Sequence, residues 1–295
     1  MYIFLVFLLL SASQMLSCTS ERKDLSEGNL KTNNSVKTYY ATDSTNSNQS
    51  INKNIPTISS TKQVKNYIVK IIAKNPHDNK AYTQGLVYYK GYLYESTGLH
   101  NHSTLRKVDI KTGKVLQLIG LEPRYFAEGL TIYKDKFYQL TWETRTGFVY
   151  DFPSMKISDT FVYQGEGWGL THNGEELIMS DGTNVIRFLS TEDYSVRRII
   201  AVQSEGKPVM YLNELEYING MIWSNVWQSN EIMIIDPYSG NVTGKIDASS
   251  LLHALDKSYD IEVLNGIAYD SETGKIYLTG KNWPNVFEVE LEEKK

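Results

Sequence analysis

One short pattern is written five times along this chain, with variations, and its recurrence restricts the fold more than any other feature. The copies are Gln84-Gly85-Leu86, Glu128-Gly129-Leu130, Trp168-Gly169-Leu170, Asn213-Glu214-Leu215 and Asn265-Gly266-Ile267, with starts 40 to 52 residues apart. Each copy leads into an apolar, aromatic-rich run, then a turn, then a second run. Self-similarity at that period marks propellers and other repeat arrays. The residue that opens each copy differs, so the frame repeats while the chemistry at its centre does not.

Composition supports strands. The 295 residues include 21 tyrosines, and aromatic and β-branched residues suit a pleated, half-buried surface. A net charge of −4 offers no basic face for nucleic acid, and none is expected as a partner. Cys18 is the single cysteine, so the chain can form neither an intramolecular disulfide nor a thiolate zinc cluster. Among five histidines only His100 and His102 are close in sequence. We read that pair as a solvated loop and expect neither metal nor cofactor.

The first 18 residues read as an export signal. Tyr2 to Leu10 is an apolar run too short to span a bilayer comfortably. Met15-Leu16-Ser17-Cys18 follows, and a lone cysteine there resembles a bacterial lipoprotein signal, cut before Cys18, which then carries lipid. The alternative is a plain secreted protein. Residues 19–65, rich in Ser, Thr, Asn and Lys, cannot bury enough apolar surface to offset ordering entropy, and read as a flexible tether. The expected product is an exported monomer held to the cell envelope, periplasmic or at the cell surface, or else secreted.

Residues 66–295 read as one all-β domain. After Gln84-Gly85-Leu86 come a turn at Lys90-Gly91, a second run from Tyr92, a third from Thr104, a turn at Lys111-Thr112-Gly113 and a fourth run from Lys114. Four strands joined by tight turns make a propeller blade. The later copies repeat this order, but the fifth stops after its third strand, near Leu291. A spare strand stands at the front, Tyr67 to Ile72. The simplest closure places it at the outer edge of the last blade, giving a five-bladed β-propeller of four-stranded blades with no open seam. The first strand of each blade would line the central channel, so the residues that open the copies would converge at one mouth.

Blocks from all five copies carry a family resemblance. Tyr82-Thr83-Gln84-Gly85-Leu86, Phe126-Ala127-Glu128-Gly129-Leu130, Gly165-Glu166-Gly167-Trp168-Gly169-Leu170-Thr171, Leu212-Asn213-Glu214-Leu215-Glu216, Asn225-Val226-Trp227 and Thr279-Gly280-Lys281-Asn282-Trp283-Pro284 resemble the plant and bacterial type of glutaminyl-peptide cyclotransferase. The resemblance covers residues 66 to 291. It implies a five-bladed, metal-independent enzyme that converts the N-terminal glutamine of peptides or proteins to pyroglutamate and releases ammonia. The site residues it implies are Gln84, Glu128, Trp168, Asn213, Trp227 and Lys281.

The chemistry of those residue types suits the reaction. Cyclisation needs the neutral α-amine, whose reference pKa is about 7.7–8.0, to attack the γ-carbonyl of its own side chain. A carboxylate between the amine and the departing nitrogen can take the first proton and deliver it; Glu128 is the choice, with Glu166 or Glu214 next in line. Trp168 and Trp227 would raise the Glu128 pKa by desolvation and Lys281 would lower it; the sequence leaves the winner open. Lys281, Asn213 and Gln84 offer donors to the oxyanion. Each residue has a plainer reading in packing, turns or the surface, and Glu214 and Glu216 read as partners of backbone or basic groups. Two other functions stay open: a non-catalytic propeller that binds a ligand at its mouth, and a lactonase-like propeller hydrolase holding a divalent cation through Glu128 and Asn213.

Overall fold

The computed structural model describes residues 63–256 and 260–294. The export signal, Cys18 and all but the last three residues of the expected tether lie outside the described residues.

The described chain is almost wholly strands. It opens with β1 (Lys65–Pro76). Three four-stranded antiparallel sheets follow, each running in chain order: β2 (Thr83–Tyr89), β3 (Tyr92–Thr97), β4 (Thr104–Val108) and β5 (Val115–Gly120); β6 (Ala127–Tyr133), β7 (Lys136–Thr141), β8 (Thr146–Asp151) and β9 (Lys156–Val162); β10 (Leu170–His172), β11 (Glu176–Ser180), β12 (Val185–Ser190) and β13 (Val196–Ala201). A two-strand ribbon, β14 (Gln203–Ser204) and β15 (Lys207–Pro208), precedes β16 (Leu212–Ile218), β17 (Met221–Val226), β18 (Glu231–Ile235) and β19 (Val242–Asp247). After the short helix α1 (Ser250–Ala254) come β20 (Leu264–Asp270), β21 (Lys275–Gly280) and β22 (Asn285–Glu293). The last seven long strands and β1 form one eight-stranded sheet, ordered β16-β17-β18-β19-β1-β22-β21-β20.

The front strand is longer than its sequence suggested and pairs on both sides. It runs antiparallel to β22, with Lys70 opposite Glu290 and Asn75 opposite Val286. Its first residues also run parallel to β19, Lys65 opposite Gly244 and Ile68 opposite Asp247. Its pairing with β22 shifts register between Ile71 and Ala73 and continues to Pro76. Apolar residues fix this placement: Val69 is buried with Trp283, Phe287 and Val289, and Tyr67 and Ile71 pack on the same cluster.

The glycines of the first three copies have one physical cause. The first strands of the sheets meet in cyclic order: β2 on β6, β6 on β10, β10 on β16, β16 on β20, and β20 on β2. A Cβ added to Gly85 would lie 2.5 Å from the Leu130 nitrogen, and one on Gly129 would lie 2.5 Å from the Leu170 nitrogen. One on Gly169 would collide with the Asn213 carbonyl. Backbones therefore approach too closely for any side chain at this position. The fourth copy is the exception. Glu214 stands in the glycine's place, and its carboxyl accepts the Leu86 N–H at 3.2 Å and the Ile267 N–H at 2.9 Å. It thus ties β16, the first strand of the fourth copy, to β2 and β20, in line with the reading of Glu214 as a backbone partner.

Candidate active site

In four of the five copies a bulge re-aims the residue that opens the copy. Strand register shifts between Thr83 and Gly85, Ala127 and Leu130, Leu212 and Leu215, and Leu264 and Ile267. A bulge adds an unpaired residue and re-aims its side chain. Gln84, Glu128 and Asn213 are thereby placed side by side although they stand far apart in sequence.

A second repeat position supplies the rest. The residue just after the second strand of a copy is Trp142, Trp227 or Lys281 in copies two, four and five. Together the two positions enclose a cavity of about 260 Å³ lined by Tyr82, Gln84, Phe126, Glu128, Trp142, Trp168, Asn213, Trp227 and Lys281. All six residues implied by the family resemblance are brought together there. Tyr82, Phe126 and Trp142 were not singled out as site residues. Their signal was positional: Tyr82 and Phe126 each stand two positions before a copy's opening residue, and Trp142 matches Trp227.

Glu128 is 5 % exposed, at the base of this cavity. The Gln84 side-chain amide donates to its Oε1 at 3.0 Å, and the Gln84 carbonyl accepts from the Asn265 amide at 3.2 Å. Gln84 is thus oriented from behind with its N–H toward the carboxyl. Burial pushes the Glu128 carboxyl well above the ordinary range; Lys281 opposes this and the charge of Glu166 adds to it. Desolvation wins over the lysine. The same desolvation lowers the Lys281 ammonium, against the pull of Glu128 and Glu262. Its Nζ lies 4.7 Å from the centre of the Tyr82 ring, a cation–π approach. Tyr82 in turn donates its hydroxyl to Glu262 at 3.0 Å.

The walls are aromatic and interlocked. Trp168 and Trp227 meet edge to face at 5.7 Å, and Phe126 meets Tyr82 at 6.1 Å and Trp142 at 5.7 Å in the same manner. Glu166 sits behind the walls, and its Oε2 accepts both the Trp142 indole N–H at 2.7 Å and that of Trp168 at 2.9 Å. A hydrogen bond to a charged acceptor contributes about 1.5–3 kcal/mol, so both rings are firmly placed. Asn213 is 2 % exposed, and its buried Oδ1 has no hydrogen-bond partner among the described residues.

The arrangement fits an uncharged, flat amide group between indoles, with one carboxyl that exchanges protons and a nearby cation. It suits a divalent cation poorly, because Lys281 would oppose one beside Glu128. Among the described residues no three His, Cys, Asp or Glu side chains are grouped to hold a metal. His100 and His102 are exposed, and the His100 ring packs on Phe126 at 5.5 Å.

Comparison with known proteins identifies the family. The family model described as glutamine cyclotransferase matches residues 39–291, reaching into the stretch read as a tether. A glutaminyl-peptide cyclotransferase of Arabidopsis thaliana is 42% identical over 229 residues, 76% of this chain and 72% of that relative. The crystal structure of Myxococcus xanthus glutaminyl cyclase superposes with a TM-score of 0.75 at 36% identity, covering 79% of this chain and 100% of the other.

Proposed function

This chain belongs to the glutamine cyclotransferase family, and from that premise we propose a one-carboxylate mechanism for its site. The enzyme converts the N-terminal glutamine of peptides and proteins to pyroglutamate and releases ammonia. The observation that carries the mechanism is the buried Glu128 carboxyl, raised by burial and facing a single aromatic-walled cavity.

The glutamine side chain enters between Trp168 and Trp227. Its α-amine attacks the γ-carbonyl carbon, a C–N bond forms, and Glu128 takes the proton that the amine sheds. A raised carboxyl pKa suits this step, because a general acid–base group is most effective when its pKa lies near the operating pH. Negative charge develops on the former carbonyl oxygen, where Lys281 and the Asn213 amide stabilise it. As the oxyanion collapses, the bond from the γ-carbon to its amide nitrogen breaks. Glu128 returns its proton to that nitrogen, and ammonia leaves. The substrate supplies its own nucleophile, so no serine or cysteine is needed.

Ammonia release from Gln-Gln separates this reading from the two others. With EDTA present we expect turnover to continue undiminished. A cation-dependent hydrolase would lose its activity, and a binding propeller would release no ammonia at all.

We read the scaffold as five four-stranded blades. The eight-stranded sheet counts as two, joined through β1, which closes the ring. The four sheets and the cyclic meeting of their first strands support this. Outside the described residues, we propose that the monomeric enzyme is exported and carries lipid on Cys18, held at the cell envelope by the tether. Mass spectrometry of the mature protein should find an acylated N-terminal Cys18; an unmodified, soluble form would contradict the anchor.

A further inference from the structure

We propose that Glu166 is a positioning residue of the cyclotransferase site: it fixes two walls of the substrate cavity from one oxygen, without exchanging a proton with substrate. The inference rests on the cyclotransferase reading and extends it to a residue outside the cavity lining.

The local sequence is built around this placement. Gly165 has φ +81°, a conformation that L side chains rarely adopt. A Cβ on Gly167 would lie 2.5 Å from the Tyr163 hydroxyl. Glycine is thus required on both sides, and the backbone at Gly167 reaches the Trp142 carbonyl. Glu166 is half-buried behind Trp142 and Trp168. A carboxylate oxygen offers two lone-pair directions, and on Oε2 each indole takes one. Oε2 is thus committed to the two walls, and Glu166 itself does not line the cavity.

The charged and titratable neighbours define what its charge can do. Glu128 feels Lys281, which favours its ionised form, and Glu166, which disfavours it. The Tyr82 and Tyr163 phenols face the same carboxyl and are raised by burial, so they stay neutral. Gln84 is a neutral donor to it. Beside Gly165 stand Asp181 and Arg187, paired with each other. Glu166 is thus the like-charged group that opposes ionisation of Glu128, while its hydrogen bonds hold the walls.

Two substitutions in the full-length enzyme separate the two roles. Glu166→Gln keeps an oxygen that can accept both indoles but removes the charge. Glu166→Leu removes both. With Gln-Gln as substrate, the acidic limb of kcat/KM reports Glu128 in the free enzyme. Without its like-charged neighbour Glu128 ionises more readily, so in Glu166→Gln the limb moves to lower pH while KM stays close to wild type. In Glu166→Leu the limb moves likewise and KM rises roughly tenfold or more, the scale of one lost charged hydrogen bond. An unmoved limb in Glu166→Gln overturns the electrostatic role, and an unchanged KM in folded Glu166→Leu overturns the positioning role. Loss of turnover in Glu166→Gln at every pH would make Glu166 a proton carrier and overturn the proposal outright. If Glu166→Leu does not fold, the limb of Glu166→Gln decides. A wild-type limb that survives Glu128→Gln would instead locate the fault in the Glu128 assignment.

Discussion

Glu128→Gln should lower kcat by on the order of a hundredfold or more, the usual contribution of a general acid–base group. The substitution keeps size and shape and leaves an oxygen able to accept the Gln84 amide, but it cannot carry a proton from amine to ammonia. Affinity for a glutaminyl peptide should change far less. It can be followed by tryptophan fluorescence, because Trp142, Trp168 and Trp227 line the cavity. Lys281→Met should also slow turnover, for a different reason. Removing the cation takes away charge stabilisation and lets the Glu128 pKa rise further, so the acidic limb of the rate profile moves to higher pH. A near-normal rate in Glu128→Gln would move the proton carrier elsewhere and leave only substrate binding assigned to this cavity.

Removal of β1 should abolish cooperative folding. That strand fills the gap between β19 and β22 and pairs with both. Without it, two long edges lie open to water and to other chains. The cluster holding Trp283, Phe287 and Val289 also loses Val69 and the partly buried Tyr67 and Ile71. Burying one such apolar side chain contributes about 1.5–3 kcal/mol, and a ladder is lost as well. The net stability of a domain is only about 5–15 kcal/mol. Circular dichroism of a chain starting at residue 77 should show no sharp thermal transition and marked aggregation. A transition matching that of the full chain would show that the proposed ring does not depend on its N-terminal strand.

Much of this architecture was legible because the repeat has a fixed register. Gln84, Glu128, Trp168 and Asn213 open their copies, and a circular array forces such residues together whatever their separation in sequence. The same register holds Trp142 level with Trp227 and Lys281, so its place on the cavity wall could have been read from alignment of the copies alone. Other features depend on packing that no pattern displays. The charge balance at Glu128 turns on how deeply the carboxyl is desolvated against Lys281. The partnership of Glu166 with two indoles turns on loop geometry set by Gly165 and Gly167. The double pairing of β1 lies at its start, Lys65 to Ile68, where two residues beyond the six first recognised reach β19, and a register shift between Ile71 and Ala73 accompanies its continuation to Pro76. Glu214 shows the opposite case: its departure from glycine was visible, and its burial against two backbone amides follows from the space that glycine leaves.

The central claim is that one carboxyl spans both nitrogens of the reaction. A crystal structure of the Glu128→Gln enzyme with Gln-Gln bound tests it most directly. The account predicts the first glutamine between Trp168 and Trp227, with its α-amine and its γ-amide nitrogen both within hydrogen-bond distance of the side chain at position 128. A peptide bound outside this cavity, or seated in it with the γ-amide turned away from position 128, would contradict the mechanism.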